Sequence, residues 1–219
     1  MATRTFDISV KAATWVADST IDLTTIIPKG GCLIGVTAYH GGLAETVQGW
    51  LRWNDGTTAR RFAKISSVGA AGAPGSLYFP IPLPVLVART GGSAFMEIEV
   101  DVTSATNYIT ALYTAYSTYN LNPILDIQTT NTTINLKTLY GSSARVLMVS
   151  AYTSAGTLTA DLEYLDPTAR KFLRANAIAP DTPDVKLLNP PFPVSGTGID
   201  MQLVTALTIT GWSHTLLTT

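Results

Sequence analysis

Apolar and polar residues alternate along short stretches of this chain, and the alternation predicts β-strands. From Met96 to Val102 every second residue is apolar, and the residues between them are acidic. From Leu158 to Tyr164 the apolar residues again recur at every second position. Because successive side chains of a strand point to opposite faces of a sheet, one face of each strand is expected to be buried and the other to meet water.

The chain also contains an internal duplication. Residues 19–39 align without a gap on residues 132–152, and seven of the 21 aligned positions are identical. Further blocks match in the same order along the chain: Phe6–Ile8 with Leu125–Ile127, Leu51–Asp55 with Leu162–Asp166, Thr58–Phe62 with Thr168–Phe172, Pro80–Val85 with Asn189–Val194, and Ala115–Ser117 with Gly211–Ser213. The gaps fall between apolar runs, where loops tolerate changes of length. The blocks therefore indicate two repeats of one scaffold.

Each repeat consists of short alternating runs separated by Gly, Pro, Asn and Asp, which is the pattern of a sandwich or barrel, and the first repeat contains about eight candidate strands. We therefore predict an all-β chain of two tandem, internally duplicated antiparallel β-sandwich domains that are jelly-roll-like. The first domain is expected at residues 1–118 and the second at 124–219. The segment 119–123 is the predicted linker, because its Asn and Pro residues supply turn chemistry.

Neither a membrane span nor a secretory signal is indicated by the sequence. No apolar run reaches the roughly 18 to 20 residues that a helix needs to cross a bilayer. Near the N-terminus, Asp7 interrupts the apolar core that a secretory signal requires. We expect a chain that is made in the cytosol and has no membrane partner.

Charged residues are scarce, at 13% of the chain, and the net charge is −1. Average proteins contain about 25% charged residues. Without a basic surplus to bind a phosphate backbone, nucleic acid is not an expected partner. Two interpretations of the neutral, Thr-rich exterior stay open: a surface covered by other subunits, since interface cores are depleted in charge, or an ordinary hydroxyl-rich β surface.

Few residues in the chain suit catalysis or metal binding. The two histidines, His40 and His214, do not recur in the other repeat, and we predict that both are solvated loop residues. No nucleophile elbow, phosphate-binding glycine loop or metal-ligand spacing occurs in the sequence. The single cysteine, Cys32, excludes an intramolecular disulfide, and its apolar neighbours predict a buried thiol.

An acidic row forms the polar face of one predicted strand and consists of Glu97, Glu99 and Asp101. Hard cations usually need six or more oxygen ligands, most of them from loops. A strand face exposed to solvent is therefore expected here rather than a calcium site. Together these features predict no catalytic residue, no cofactor and no metal, and a protein that is not an enzyme.

Two basic doublets recur at equivalent positions of the repeats, Arg60 with Arg61 and Arg170 with Lys171. In each repeat an aspartate, Asp55 or Asp166, precedes the doublet. In one interpretation this aspartate pairs with the following arginine and fixes the turn. In the other, the doublet binds a neighbouring subunit, a role that suits the planar guanidinium of arginine.

Trp50 is expected on the outer face of its strand if Leu51 and Trp53 face inward. An outward tryptophan is a candidate anchor for a protein interface or a platform for stacking on a sugar. The predicted partner-binding residues are therefore Trp50 and the two doublets.

A duplicated β-sandwich with few charges, no active-site constellation and many Thr, Gly and Ala residues resembles the structural proteins of tailed bacteriophages, in particular capsid decoration or cement proteins. The resemblance implies a virion protein, assembled in the host cytoplasm, that binds the major capsid protein or other virion subunits across their joints. It also implies a homo-oligomer, a dimer or trimer. Head-tail connectors and tail components with β-sandwich domains are similar at this level.

Two alternatives belong to other functional classes. A tandem carbohydrate-binding module is one, because sandwiches with exposed aromatic rings are common scaffolds for sugar binding; Trp50, Tyr152 and Trp212 are the candidate platforms. A hydrolase that uses His40 or His214 is the other.

Overall fold

The computed structural model describes residues 10–28, 30–42, 45–68, 72–102, 104, 106–114, 122–166, 168–208 and 210–219. Nearly all of the regular structure in these residues is β, which confirms the predicted all-β class. The exceptions are a 3-10 helix at Leu23–Thr25 and one short helix, α1, at Leu136–Tyr140.

The strands of the first repeat are β1 (Val10–Trp15), β2 (Ser19–Asp22), β3 (Cys32–Tyr39), β4 (Val47–Asn54), β5 (Ala59–Ser67), β6 (Gly75–Pro84), β7 (Leu86–Arg89), β8 (Gly92–Asp101) and β9 (Tyr108–Thr114). Those of the second repeat are β10 (Pro123–Gln128), β11 (Thr132–Asn135), β12 (Arg145–Ala155), β13 (Leu158–Asp166), β14 (Thr168–Ala177), β15 (Asp184–Pro193), β16 (Ser195–Gly196), β17 (Ile199–Leu207) and β18 (Thr210–Thr218).

The duplication seen in the sequence is also a duplication of topology. In the first repeat the strand orders are β1-β9-β3-β6 and β2-β8-β4-β5. In the second repeat they are β10-β18-β12-β15 and β11-β17-β13-β14. Two sets of four strands with these orders have the topology of a jelly roll. The sets β2-β8-β4-β5 and β10-β18-β12-β15 are joined through β7 into one nine-stranded sheet. The short strands β7 and β16 pair with β8 and β17 respectively, so they too are equivalent.

Strand pairing corrects the sequence alignment at the ends of the repeats. Cys32 lies opposite Thr114, and its equivalent Arg145 lies opposite Thr218. Counting back along both strands makes Tyr108, and not a residue of 115–117, the counterpart of Trp212. The other two blocks assigned at these ends, Phe6–Ile8 and Ala115–Ser117, lie outside the described residues.

A side-chain cap recurs at the same place in both repeats. Asp22 Oδ1 accepts a hydrogen bond of 2.8 Å from the backbone N–H of Thr24 and starts the 3-10 helix. Asn135 Oδ1 accepts one of 3.0 Å from the N–H of Thr138 and starts α1. Asp and Asn are favoured at such positions because their side-chain oxygens bind N–H groups that have no partner within the helix.

The described residues form two compact units. One contains those of 1–51, 65–86 and 95–120, and the other contains those of 52–64, 87–94 and 121–219. The second unit thus includes two segments from the first repeat. The domain limits predicted from the sequence, 1–118 and 124–219, stay a prediction, and residues 119–121 of the predicted linker lie outside the described part.

Each unit has its own apolar core. In the first unit, Leu33, Val36, Ile98 and Ile109 are fully buried, and Cys32 is buried with them, as predicted. In the second unit, a cluster built from both sheets of the second repeat includes Val149, Leu162, Leu203 and Leu217. These residues are the apolar half of the alternation in the sequence.

Candidate functional site

Asp55 lies in the turn between β4 and β5 and organises that turn. Its Oδ1 accepts hydrogen bonds from the backbone N–H groups of Thr57 at 3.0 Å and Thr58 at 2.8 Å. Its Oδ2 accepts one from Arg60 at 2.9 Å and another from Arg89. The Thr57 hydroxyl, helped by these other donors, holds the pKa of Asp55 well below its usual range. The interpretation in which this aspartate and the following arginine fix the turn is confirmed for Asp55 and Arg60.

Arg61 belongs to a cluster of four side chains, here called the Arg61 cluster, with Tyr152, Asp181 and Trp212. Arg61 Nη1 donates to Asp181 Oδ1 at 3.0 Å, and the Tyr152 hydroxyl donates to the same oxygen. The Tyr152 and Trp212 rings stack with centroids 4.4 Å apart and an interplanar angle of 18°. Trp212 Nε1 donates to the Arg61 carbonyl at 2.7 Å. All four residues belong to the second compact unit.

The hydrogen bonds of the Arg61 cluster hold segment 52–64 against the second repeat. Burial, helped by the hydrogen bond to Asp181, raises the pKa of Tyr152 to about 12, so its phenol stays protonated as a donor at neutral pH. The rings of Tyr152 and Trp212 stack on each other. Their polar atoms are hydrogen-bonded, the Tyr152 hydroxyl to Asp181 and the Trp212 indole N–H to the Arg61 carbonyl. Tyr152 is buried and Trp212 is half-buried, and each ring covers one face of the other.

Asp181 was not identified from the sequence. Its φ of +54° is in the left-handed region, and its N–H donates to the Thr153 carbonyl at 3.0 Å. Aspartate tolerates this conformation better than most residues. The only signal in the sequence is that Asp181 stands in a turn-forming run between two prolines, Pro180 and Pro183.

The doublet of the second repeat pairs differently from that of the first. Lys171 Nζ donates to Asp161 Oδ2 at 2.7 Å, and Arg174 donates to both oxygens of Asp161, at 2.7 and 2.9 Å. The hydrogen bond from Arg174, followed by that from Lys171, lowers the pKa of Asp161. Asp161 is aligned with Trp50 of the first repeat. Because tryptophan has no carboxylate, the first repeat has no equivalent of this ion pair. Arg170 is exposed on β14, and the side chain of Asp166 lies outside the described part.

Trp50 is buried, with 8% of its surface exposed. Leu51 and Trp53 are buried as expected, but the opposite face of β4 is covered at Trp50 as well. Trp50 therefore lies on the face opposite Leu51 and Trp53, as expected, but the prediction that it is an exposed anchor or stacking platform is wrong.

Both histidines are also buried, so the prediction of solvated loop residues is wrong. His40 Nδ1 lies 2.9 Å from the Gly42 carbonyl. His214 Nδ1 lies 3.1 Å from the Ser150 hydroxyl, and the ring meets the edge of Phe62. Burial, and to a smaller extent the charge of Arg60, lowers the pKa of His214 to about 3. A serine beside a histidine resembles an activated nucleophile, but both side chains are 0% exposed and the imidazole is a weak base.

Three aromatic side chains of the second repeat contact one another and are here called the aromatic patch: Tyr164, Phe172 and Phe192. Tyr164 and Phe192 are half-buried against the core of the repeat. The centroids of Phe172 and Phe192 are 4.4 Å apart, and those of Tyr164 and Phe172 are 5.3 Å apart. Phe172 is 40% exposed. Beside the patch is a cleft of about 170 Å³. It is lined by Tyr164, Pro193, Ser195, Gly196 and Ile199.

The acidic row differs from the expectation at one position, because Glu97 is buried rather than exposed to solvent. Within the described ranges, no group of three or more His, Cys, Asp or Glu side chains could hold a metal ion. In the same part of the chain, no helix is long and apolar enough to cross a bilayer.

No protein-family model and no curated protein matches the chain. Among solved structures, the PBSX exported protein XepA is 8% identical at a TM-score of 0.27, covering 95% of this chain and 84% of that one. The major capsid protein P2 of bacteriophage PM2 is 10% identical at a TM-score of 0.35, covering 95% and 96%. A tandem of CBM22 domains from Xyn10C of Paenibacillus barcinonensis is 10% identical at a TM-score of 0.26, covering 96% and 91%. These TM-scores are too low to carry a functional assignment.

Proposed function

We propose that the chain is a non-enzymatic structural protein of a virion, a capsid cement or decoration protein that bridges neighbouring major capsid proteins. The observation that carries this proposal is the duplication of a jelly-roll scaffold within one chain. Two similar domains can bind two quasi-equivalent partners, and the second contact gains from a high effective concentration. Weak contacts at each domain then combine into a stable attachment.

The surface of the first repeat supports an assembly role. The outer face of the β1-β9-β3 sheet, meaning the face opposite the repeat's own core, carries hydroxyl and aromatic side chains without charge. Thr14, Thr37, Thr110, Tyr39 and Tyr108 are exposed or half-buried there. Interface cores are depleted in charged residues and enriched in tyrosine, so this face suits contact with another subunit.

The buried polar groups support a non-enzymatic role. Catalysis requires a nucleophile and base that substrate can reach. Ser150 and His214 are sealed from solvent, and the side chains of the Arg61 cluster are committed to one another. A hydrolase assay that lost activity on His214→Ala, in a variant that still folds, would contradict this part of the proposal.

The function is tested by the protein content of purified virions. The chain should be detected by mass spectrometry in gradient-purified particles, at a fixed ratio to the major capsid protein. Added to particles that lack it, the purified chain should sediment with them. Its absence from intact virions would overturn the proposal.

The exposed arginine of the second doublet supplies a matched pair of variants. We expect Arg170→Glu to weaken binding to particles, because Arg170 is exposed and available for a charge-assisted contact. Arg145→Glu is the control, since Arg145 is also an exposed strand arginine of the second unit. Equal loss from both variants would indicate a general charge effect and not a specific contact.

A second candidate is a tandem carbohydrate-binding module, and the aromatic patch is the observation that favours it. Exposed aromatic rings beside a shallow cleft can stack on sugar rings. Glycan-array binding that is lost on Phe172→Ala and kept on Ile178→Ala, a control at another exposed apolar residue, would favour this alternative over the virion protein.

A further inference from the structure

One aromatic pair occurs in both repeats but is buried in only one of them. Trp53 and Phe62 stack at 5.6 Å in the first repeat, and both are fully buried. Their counterparts Tyr164 and Phe172 lie 5.3 Å apart, and Phe172 is 40% exposed. The two pairs therefore differ in whether other residues cover them.

The pair of the first repeat is covered by β18. The Phe62 ring meets the His214 ring edge to face, with centroids 6.0 Å apart and an angle of 71°. On the same strand, Trp212 donates its hydrogen bond to the Arg61 carbonyl. These contacts are all inside the second compact unit. Leu217 of β18 belongs to the core of the second repeat. Because side chains alternate along a strand, Trp212 and His214 lie on the opposite, outer face of β18.

The equivalent outer face of the first repeat is open. In β10 and β18 the outer residues Leu125, His214 and Leu216 are buried. According to the strand register, the counterparts of these three residues in the first repeat are Ala12, Thr110 and Leu112. Ala12 is exposed, and Thr110 and Leu112 are half-buried. Among the residues that the structure describes, this outer sheet face is buried on β10 and β18 and only partly buried on β1 and β9.

Strand edges show the same asymmetry. β7 pairs in parallel with β10 at Ala88 and Ile124. Among the strands that the structure describes, the equivalent of β7, which is β16, pairs only with β17. The equivalent of β10, which is β1, pairs only with β9. Among the described strands, β1 and β16 thus each have one edge without a partner strand.

We propose that the aromatic patch binds a second copy of this chain, at the open outer face of its β1 and β9. The contact repeats between chains the packing that segment 52–64 makes against β18 within the chain. It is heterologous, because the two surfaces differ, so successive copies add head to tail and form a ring where the rotation closes. The proposal deepens the proposed virion role by naming one partner of the assembly as the chain itself.

The chemistry of the two surfaces is compatible. The face of β1 and β9 offers Thr14, Thr110 and Leu112, which carry no charge. Near the patch, the charges of Lys171 and Arg174 are already paired with Asp161. Burial of the patch against a neutral face therefore desolvates apolar rings while Lys171 and Arg174 keep their partner Asp161. The exposed Arg170, which lies opposite Tyr164 in the sheet, has to stay in contact with water at the edge of the interface.

The test is sedimentation velocity of the full chain over a range of concentrations. The wild-type chain should form species larger than its 23.3 kDa monomer. Phe172→Asp should weaken this association at least about tenfold, which corresponds to about 1.4 kcal/mol. Ile178→Asp, at an exposed apolar residue outside the patch, is the control and should associate like the wild type.

A mixing experiment tests the head-to-tail geometry. Thr110→Glu should also yield a monomer, because it places a charge on the opposite surface. Equal amounts of Phe172→Asp and Thr110→Glu should form a dimer and nothing larger, since each variant retains one intact surface. Thr14→Glu replaces Thr110→Glu if circular dichroism shows that the latter is unfolded.

Each result decides the proposal. A wild-type chain that stays monomeric at its highest soluble concentration, or an unchanged Phe172→Asp variant, overturns it. Failure of the two monomeric variants to form a dimer overturns the head-to-tail arrangement. A chain that associates as described but is missing from virions keeps this interface and overturns only the proposed function.

Discussion

The indole N–H of Trp212 donates a hydrogen bond of 2.7 Å to the backbone carbonyl of Arg61, which lies 151 positions earlier in the chain. The Tyr152 ring stacks on the same indole, and both Tyr152 and Arg61 donate to Asp181. Segment 52–64 is thereby attached to β12 and β18 through the main chain as well as through side chains. Through these contacts segment 52–64 covers part of the outer face of β18 within the second compact unit.

We expect Trp212→Phe to destabilise the second unit by about 1 to 3 kcal/mol. The substitution keeps an aromatic ring to stack on Tyr152 but leaves the Arg61 carbonyl without its donor, and an unsatisfied buried acceptor costs about this much. Urea denaturation followed by circular dichroism measures the change. Trp15→Phe, at a half-buried tryptophan of β1, is the control and should cost less. Equal effects would show that the hydrogen bond has no special role.

Stability should fall as the pH drops from about 6.5 towards 3 because of His214. The pKa of this imidazole is lowered from 6.5 to about 3 in the folded chain, so the unfolded chain binds the proton more readily between these values. The free energy of unfolding should change by about 1.4 kcal/mol per pH unit in this window. Denaturant titrations at a series of pH values give the free energy of unfolding as a function of pH. In this window, that free energy should change less steeply with pH for His214→Phe than for the wild type. An unchanged slope would contradict the assignment to His214.

The repeats, their core strands and the Asp55 turn could be predicted because each is encoded locally. Alternation identifies the inner face of a strand, and the Asp55–Arg60 spacing places both residues at one turn. The burial of Trp50 and His214 could not be predicted in this way. Alternation assigns such residues to an outer face but cannot tell whether that face is covered, as Phe62 covers it at His214.

The register of β9 was missed for a different reason. The sequence alignment pairs Ala115–Ser117 with Gly211–Ser213 and so makes Tyr116 the counterpart of Trp212, although Tyr108 is a second tyrosine in the same region. Hydrogen-bonded pairing with β3 selects Tyr108, which stacks on Tyr39 at 4.9 Å as Trp212 stacks on Tyr152. Register is a property of strand pairs, so one strand's sequence does not determine it.

Asp55→Asn should destabilise the chain by about 2 to 4 kcal/mol at neutral pH, because it leaves Arg60 and Arg89 without their buried carboxylate partner. The pKa of Asp55 is lowered on folding, so its contribution is present above the ordinary value of 3.8 and is lost as the pH falls below it. The difference between wild type and variant should therefore shrink in acid. Asp101→Asn, at a half-buried strand residue, is the control, and a difference that stays constant down to the acid limit argues against the ion pairs.

Phe62 and Phe172 provide a direct comparison of one position in two environments. Phe62→Ala removes a fully buried ring beneath His214 and should cost about 3 to 5 kcal/mol. Phe172→Ala removes a ring that is 40% exposed, so in the monomer it should cost less than about 1 kcal/mol. Urea denaturation at concentrations below self-association measures both values. Raising the protein concentration should then stabilise the wild type but not Phe172→Ala, since association stabilises only the chain that can form the contact. If both phenylalanines cost the same in the monomer, the aromatic patch is covered by the chain itself and has no open surface for a second copy.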